Sequence, residues 1–217
     1  MVKGVIFDMD GLMFDTERIW ATLWEPALAT LGLTYKEGLD TAARGTAGES
    51  MRKVLRSFYG PECDAQAIID ALHAQAELAF QTLPPKKPGL DALIAYLEAQ
   101  HIPMAVASSS RMASILRHLN NWRMTSHFKA IISGEQFTSC KPDPEIFLTT
   151  AKALGTAPAE TLVLEDSYNG VRAGAAGGFV TVMVPDLAPA DDEMRRLYTA
   201  ECKDLNEVKA LLEAGKL

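Results

Sequence analysis

Five short apolar runs, separated by segments of a different pattern, constrain the fold more than any other feature of this sequence. They lie at residues 5–7, 104–107, 130–132, 162–164 and 179–184. Runs of this length that are apolar throughout are typical of strands buried on both faces. Several intervening segments carry apolar residues at helical spacing, as at Leu90, Leu93, Ile94 and Leu97. The alternation predicts an α/β fold, a doubly wound (Rossmann-like) parallel sheet.

Residues 16–83 interrupt this alternation, because they contain helical patterns and no strand-like run. One apolar stripe comprises Met51, Val54, Leu55 and Phe58, and a second comprises Ile68, Ile69, Leu72, Ala76, Ala79 and Leu83. These stripes predict a small all-helical domain, inserted after the first strand between the core segments 1–15 and 84–217. Its exit, residues 84–89, contains three prolines and is predicted to be a stiff hinge. Pro26 is expected to kink or split the first helix of the insert.

Two later helices have clear end signals. Asp143 offers an N-cap oxygen, Pro144 suits the first helical position, and Gly155 supplies a C-terminal stop. Asp204 and Glu207 have capping-box spacing ahead of the last apolar stripe. We therefore expect helices that begin near residues 144 and 205.

The charge of the chain narrows the classes of partner. It carries 21 Lys and Arg against 28 Asp and Glu, a net charge of −7, and 48% of its 217 residues are hydrophobic. This composition is globular, and its charge is repelled by nucleic acid and by anionic membranes. The three cysteines lie far apart and fit neither a disulfide framework nor a zinc site. With no apolar stretch of bilayer length and no signal-type start, we expect a cytoplasmic monomer that contacts neither nucleic acid nor membrane.

The first apolar run leads directly into two carboxylates, Asp8 and Asp10. Ligands of open α/β sheets bind at the carboxyl ends of the strands, where this pair would lie. Two anions buried together are unfavourable unless a cation joins them or one carries a proton. The pair therefore predicts a divalent metal, a shared proton or both, with a solvated turn as the alternative.

Three further polar clusters follow later strands of the predicted sheet. They are Ser108-Ser109-Ser110, Lys141 ahead of Pro142-Asp143-Pro144, and Glu165-Asp166-Ser167. The serines and the following helix N-terminus offer an anion site, although Ser110 can instead cap that helix. The lysine can be an ordinary surface residue, and the acidic pair can begin a helix. Four complementary clusters at four strand ends nevertheless predict one functional site.

These clusters and their flanking residues resemble the four motifs of the haloacid dehalogenase (HAD) superfamily. The resemblance rests on residues 7–17 (FDMDGLMFDTE), 107–110 (ASSS), 140–147 (CKPDPEIF) and 164–171 (LEDSYNGV). The order and spacing match along essentially the whole chain, and the helical insert stands where that superfamily has its first-type cap. The chain resembles most the sugar-phosphate phosphatases and beta-phosphoglucomutases of the superfamily.

The resemblance implies phosphoryl chemistry at the first motif. Asp8 would be the nucleophile that forms an aspartyl-phosphate. Asp10 would protonate the leaving alkoxide and then deprotonate the attacking water. Dehalogenases of this superfamily lack the second Asp of the motif, so Asp10 favours phosphoryl transfer over carbon–halogen cleavage.

The resemblance also implies a set of binding residues. A Mg²⁺ cofactor would be held by Asp8, the Asp10 backbone carbonyl and Asp166, with Glu165 acting directly or through water. The phosphoryl oxygens would be held by Ser108, the Ser109 backbone N–H and Lys141.

Residues of the insert are candidates for substrate contacts. They are Trp20, Trp24, Arg44 and Thr46. Arg44 is the preferred specificity residue because residues 44–48 have the glycines of a mobile loop, whereas the tryptophans are as readily core residues. His73 is interpreted as a packed or surface histidine, and Cys140 as structural.

The leading hypothesis is a Mg²⁺-dependent phosphatase of small phosphorylated metabolites, such as sugar or polyol phosphates. The alternative is a phosphomutase of the beta-phosphoglucomutase type. It is disfavoured because similar mutases carry a His where this chain has Trp20. A non-catalytic regulator that binds metal and phosphate is the most distant alternative.

Overall fold

The computed structural model describes residues 1–44, 46 and 48–217 of the chain. Within these residues, six strands form one parallel sheet in the order β3-β2-β1-β4-β5-β6. The strands are β1 (Gly4–Phe7), β2 (Met104–Ser108), β3 (Ala130–Ser133), β4 (Thr161–Glu165), β5 (Val180–Met183) and β6 (Ala200–Glu201). The strand order reverses between β1 and β4, and such a switch point leaves a crevice at the carboxyl ends. The doubly wound α/β fold is confirmed.

Alternate residues of the strands pack against helices on opposite faces of the sheet. Val5 and Phe7 of β1 belong to one apolar core, whereas Ile6 belongs to a second core on the other face. The helices that follow the sheet strands are α5 (Leu90–Ala99), α6 (Met112–Asn121), α7 (Glu145–Leu154), α8 (Tyr168–Ala176), α9 (Met194–Leu197) and α10 (Leu205–Glu213). Burial on both faces explains why the strands are apolar throughout.

The segment between β1 and α5 is helical and has an apolar core of its own. Its helices are α1 (Glu17–Ala29), α2 (Leu39–Ala43), α3 (Gly48–Tyr59) and α4 (Ala65–Ala79). Helices α1 and α4 pack together, and Trp24, Leu28 and Leu72 lie in their shared core. We call residues 16–83 the helical insert.

The two connections between the insert and the sheet pair with each other. The Asp15 N–H donates to the Pro85 carbonyl at 2.8 Å, and the Lys87 N–H donates to the Met13 carbonyl at 2.9 Å. Arg117 of α6 also pairs with Glu77 of α4 at 2.5 Å, which joins the insert to the rest of the chain. The insert therefore leaves and rejoins the sheet at one place, close to the end of β1.

Several local expectations need correction. Helix α1 runs unbroken through Pro26, so this residue does not split it. Leu83 lies beyond the end of α4 and is exposed, so the second stripe ends earlier than predicted. The first three residues of β3 are only half-buried, because this strand lies at the edge of the sheet. The two-residue strand β6 is too short to give a sequence signal.

The helix-end signals agree with the structure to within one residue. Helix α7 begins at Glu145, whose N–H donates to the Asp143 carboxylate at 2.9 Å, and Gly155 ends it at φ 79°. Asp204 accepts the Glu207 N–H at 3.0 Å at the start of α10. No helix within the described residues has the length and apolarity needed to cross a membrane.

Candidate active site

The polar clusters predicted from the sequence meet at the carboxyl edge of the sheet. Asp8 follows β1, Ser108 ends β2, and Glu165 ends β4, with Asp166 next to it. All four side chains are buried, at 6% exposure or less. Because β1 lies between β2 and β4, the parallel register brings these three strand ends side by side.

Lys141 is the cation at the centre of this group. Its Nζ donates to Asp8 Oδ1 and to Glu165 Oε1, both at 2.6 Å, and to the Ala107 carbonyl at 3.2 Å. Burial lowers the pKa of Lys141, but the two carboxylates outweigh that effect and raise it above its usual value. Lys141 is therefore a permanent ammonium, and the alternative of an ordinary surface lysine is wrong.

The carboxylates outnumber this cation. The carboxylate oxygens of Asp8, Glu165 and Asp166 lie within 4.8 Å of one another. Burial raises the pKa of Asp8 well above its usual value, with Lys141 opposing and Glu165 adding to the rise. Burial and the charges of Glu165 and Asp8 raise the pKa of Asp166 in the same way. When all three carboxyl groups are ionised, one ammonium leaves two negative charges uncompensated, which is the charge balance that a divalent cation fits.

The Glu165 carboxylate is already fully engaged by the protein. Its Oε1 accepts from Lys141, and its Oε2 accepts the Asp166 and Ser167 N–H groups at 3.1 Å and the Ser167 hydroxyl at 2.9 Å. A Cβ on Gly170 would overlap this carboxylate, so only glycine fits there. Glu165 thus orients Lys141 and the loop after β4, which leaves Asp8 and Asp166 as the carboxylates better placed to bind a metal ion.

Asp10 is held by hydroxyl groups from two parts of the chain. Its Oδ1 accepts from Thr16 at 2.8 Å, and its Oδ2 accepts from Ser110 at 2.7 Å and from Ser108 at 3.3 Å. Helix α6 has Arg111 as its N-cap, so Ser110 does not cap it. The hydroxyls fix the Asp10 carboxylate at the mouth of the site, and the role of Ser110 was missed from sequence.

A cavity of roughly 590 Å³ opens between the sheet edge and the helical insert. Its lining includes the sheet-edge residues Asp8, Asp10, Ser108, Ser109, Lys141 and Asp166, and the insert residues Trp20, Trp24, Arg44, Thr46 and His73. Trp20 packs edge-on against His73 with ring centres 5.9 Å apart, so His73 is the packed histidine expected. Cys140 also lines the cavity. Of the predicted mobile loop, Gly45 and Ala47 lie outside the described residues.

Glu17 is one of the acidic residues of the cavity that the sequence analysis did not single out, with Asp40, Glu49 and Glu135. It begins α1, and its Oε2 accepts from Arg44 Nε at 3.2 Å. Burial, followed by the charge of Asp10, raises the pKa of Glu17 to about 7, with Arg44 opposing the rise. An acid in the first turn of a helix usually serves the helix dipole, so Glu17 was given no role of its own although it ends the first motif, residues 7–17.

The comparisons with known proteins agree with this geometry. The chain is 27% identical to a phosphorylated carbohydrates phosphatase from Thermotoga maritima, over 99% of this chain and 92% of the relative. It is also 27% identical to hexitol phosphatase B from Escherichia coli O157:H7, over 96% of this chain and 95% of the relative. The solved structure of a beta-phosphoglucomutase from Clostridium difficile has the same fold, with a TM-score of 0.81 at 19% identity over 98% of this chain and 96% of that one.

The family model of the haloacid dehalogenase-like hydrolases covers both the sheet edge and the insert. It matches residues 5–184, which include every polar cluster described above. The match spans β1 to β5, so it includes the carboxyl ends at which the cavity opens. The chain belongs to the haloacid dehalogenase-like hydrolases.

Proposed function

We propose that this protein is a Mg²⁺-dependent phosphatase that hydrolyses small sugar or polyol phosphates through an aspartyl-phosphate on Asp8. The observation that carries the proposal is the position of Asp8, buried at the end of β1 and lining the cavity. Lys141 fixes one of its oxygens, and Asp10 stands two residues further along the same turn. This arrangement provides a nucleophile and a separate acid–base group within one cavity.

Asp8 and Asp166, together with the Asp10 backbone carbonyl, are the groups that would hold Mg²⁺. Oxygen ligands of this kind are those that Mg²⁺ prefers, and the excess of buried negative charge supports a divalent cation. When bound, the ion supplies positive charge that favours ionised Asp8 and neutralises a phosphoryl group.

The residues of the chain divide the reaction into two displacements. In the first, an Asp8 carboxylate oxygen bonds to phosphorus and the ester bond breaks, while Asp10 gives its proton to the departing alkoxide. In the second, water bonds to phosphorus and loses a proton to Asp10, which releases inorganic phosphate and restores Asp8. The Ser108 hydroxyl, the Ser109 N–H and Lys141 would hold the phosphoryl oxygens during both steps.

The division of labour within the chain is part of the proposal. Residues 1–15 and 84–217 would form the catalytic core, and residues 16–83 a cap that shields the site from bulk water. The paired connections near Asp15 and Lys87 would act as the hinge. We propose that the protein acts as a cytoplasmic monomer.

The insert residues that line the cavity favour hydrolysis over a mutase reaction. A mutase must hold a phosphorylated sugar in two orientations, which demands cations on the insert side of the cavity. Trp20 occupies the position at which similar mutases carry a His, and Arg44 is already paired with carboxylates. The relatives include phosphatases named for phosphorylated carbohydrates and for hexitols, in keeping with sugar or polyol substrates.

The test of this function is the Asp8→Asn variant. The amide keeps the shape of the carboxylate but cannot attack phosphorus, so phosphate release from sugar and polyol phosphates should fall by about 10³-fold or more. Asp143→Asn, at an exposed aspartate that bonds only the start of α7, is the matched control and should retain full activity. Substantial phosphate release by Asp8→Asn would show that Asp8 is not the nucleophile.

A further inference from the structure

Three charged side chains form a closed group in the wall of the cavity. Arg44 Nε lies 3.2 Å from Glu17 Oε2, and Arg44 Nη2 lies 3.6 Å from Asp40 Oδ2. The side chains of Glu17, Arg44 and Asp40 are 15%, 12% and 23% exposed, and all three residues line the cavity. We call them the wall triad.

The wall triad has no net positive charge in any protonation state of Glu17. With Glu17 ionised, two carboxylates face one guanidinium and the net charge is negative. With Glu17 protonated, Asp40 still balances Arg44 and the net charge is zero. Arg44 is therefore a hydrogen-bonding group whose charge is already matched, and it offers no surplus charge for a second anion of a substrate.

The position of the triad relates this charge balance to the reacting group. The wall triad lines the insert side of the cavity, whereas Asp8, Ser108 and Lys141, which would hold the phosphoryl group, line its sheet side. A phosphate ester held against Asp8 would therefore direct its alcohol portion towards the insert and the triad. A second anion of the substrate would be repelled by the Glu17 carboxylate, which Arg44 shields only in part. Hydroxyl groups of the substrate can instead hydrogen-bond with both Glu17 and Arg44.

We propose that the wall triad selects phosphate esters whose leaving group is neutral and hydroxylated, and rejects esters that carry a second anion beside the phosphoester. The inference rests on the proposed phosphatase function and assigns the basis of its substrate choice to Glu17. The triad acts through repulsion as well as attraction, a combination that specific sites commonly use.

The other arginines of the cavity do not reverse this balance. Arg52 pairs with Glu49 at 2.9 Å, and the Glu49 side chain is 54% exposed. Arg111 lines the cavity as the N-cap of α6, the helix that follows β2, whereas the triad belongs to the insert. A second anion bound by Arg111 would be recognised from the sheet side of the cavity, which gives the experiment a distinct contrary outcome.

The experiment compares glycerol 3-phosphate with 3-phosphoglycerate, two substrates that differ only in a CH₂OH group replaced by a carboxylate. The unaltered protein should prefer glycerol 3-phosphate by about tenfold or more in kcat/KM. Glu17→Gln should narrow this preference to within about threefold, because the repelling carboxylate is gone and Arg44 keeps only Asp40. Arg44→Met should widen it, because the triad then loses its only cation and Asp40 is left unpaired.

Glu77→Gln is the matched control, since it removes an insert carboxylate that pairs with Arg117 of α6 and does not line the cavity. It should leave the preference unchanged. Equal use of both substrates, a preference for 3-phosphoglycerate, or an unchanged preference in Glu17→Gln would overturn the inference. Loss of 3-phosphoglycerate hydrolysis in Arg111→Gln alone would also overturn the inference, because Arg111 of α6 would then be the residue that binds the substrate carboxylate.

A binding arm separates this inference from the proposed function. Calorimetric titration of the Asp8→Asn variant with each compound, in the presence of Mg²⁺, measures selection without turnover. The dissociation constants should show the same order and the same narrowing in the Asp8→Asn/Glu17→Gln double variant. If the unaltered protein releases no phosphate from any ester but the binding order holds, the phosphatase function is refuted and the selection is supported. Equal dissociation constants for the two compounds would refute the selection.

Discussion

Replacing Lys141 with methionine tests whether buried charge balance organises the site. Lys141 lies 2.6 Å from both Asp8 and Glu165, and the exposure of the three side chains is 9% or less. Each such pair contributes roughly 4 kcal/mol at the effective dielectric of protein sites, and the avoided desolvation of the ammonium offsets about half of the sum. We therefore expect Lys141→Met to lower the free energy of unfolding by about 3–5 kcal/mol at about pH 8.

The loss should shrink as the pH falls. Without Lys141, the pKa of Asp8 rises further, since burial and Glu165 already raise it. A carboxyl group with a folded-state pKa above its unfolded value binds more protons when folded, so its contribution to stability falls as the pH rises. At about pH 5 Asp8 is protonated in the variant and needs no cation. The decrease in the free energy of unfolding caused by Lys141→Met should therefore be less than half of that at about pH 8. In the unaltered protein, the raised pKa of Lys141 keeps its contribution constant across this range.

The assay is urea unfolding of the metal-free protein at both pH values. The midpoint should fall by about 1 M or more at the higher pH for an m value of about 3 kcal/mol/M. Lys129→Met is the matched control, because the Lys129 ammonium donates to the Leu154 carbonyl at 2.9 Å and to no carboxylate of the described residues, so its loss should cost about 1 kcal/mol at either pH. An equal loss for Lys141→Met at both pH values would refute charge compensation as its role.

The remaining predictions concern the metal, Asp10 and the loop after β4. Chelation should abolish phosphate release and Mg²⁺ should restore it, whereas Ca²⁺ should substitute poorly because it prefers looser coordination; full activity of demetallated protein would contradict the metal assignment. Asp166→Ala should imitate chelation with little loss of stability, while Glu165→Ala should lower the free energy of unfolding by about 3 kcal/mol, measured by urea unfolding, because it removes a buried partner of Lys141. Ser110→Ala should lower kcat about tenfold with little change in KM, because Asp10 loses its 2.7 Å hydrogen bond; an unchanged kcat would show that this contact is not used. Gly170→Ala should lower the melting temperature, since its Cβ would overlap the Glu165 carboxylate; an unchanged value would mean that the loop can shift.

The sequence by itself determined the fold class and most of the sheet-edge site. Strands buried on both faces leave a local signal in their own residues, which is why the apolar runs coincide with β1 to β5. Asp8 and Asp166 were predictable because parallel strands carry whatever follows them to one edge, whereas Lys141 lies eight residues beyond β3 and was predicted through its motif. Their joint assignment to a metal and a phosphoryl group stays a prediction, although their closeness is a finding of the structure.

Tertiary structure decided which partner each polar group has. Ser110 reads locally as a helix cap, yet it bonds Asp10, which is 100 residues away in the chain. Arg44 reads as an available cation, yet Glu17 and Asp40 match its charge. Hydrophobic period and capping signals are set by neighbours within a few residues, whereas charge pairing across α1 and the loop after α2 depends on how the insert packs. The Asp40–Arg44 spacing of four residues is a local signal, but the pairing of Arg44 with Glu17, and with it the charge balance of the cavity wall, follows from packing.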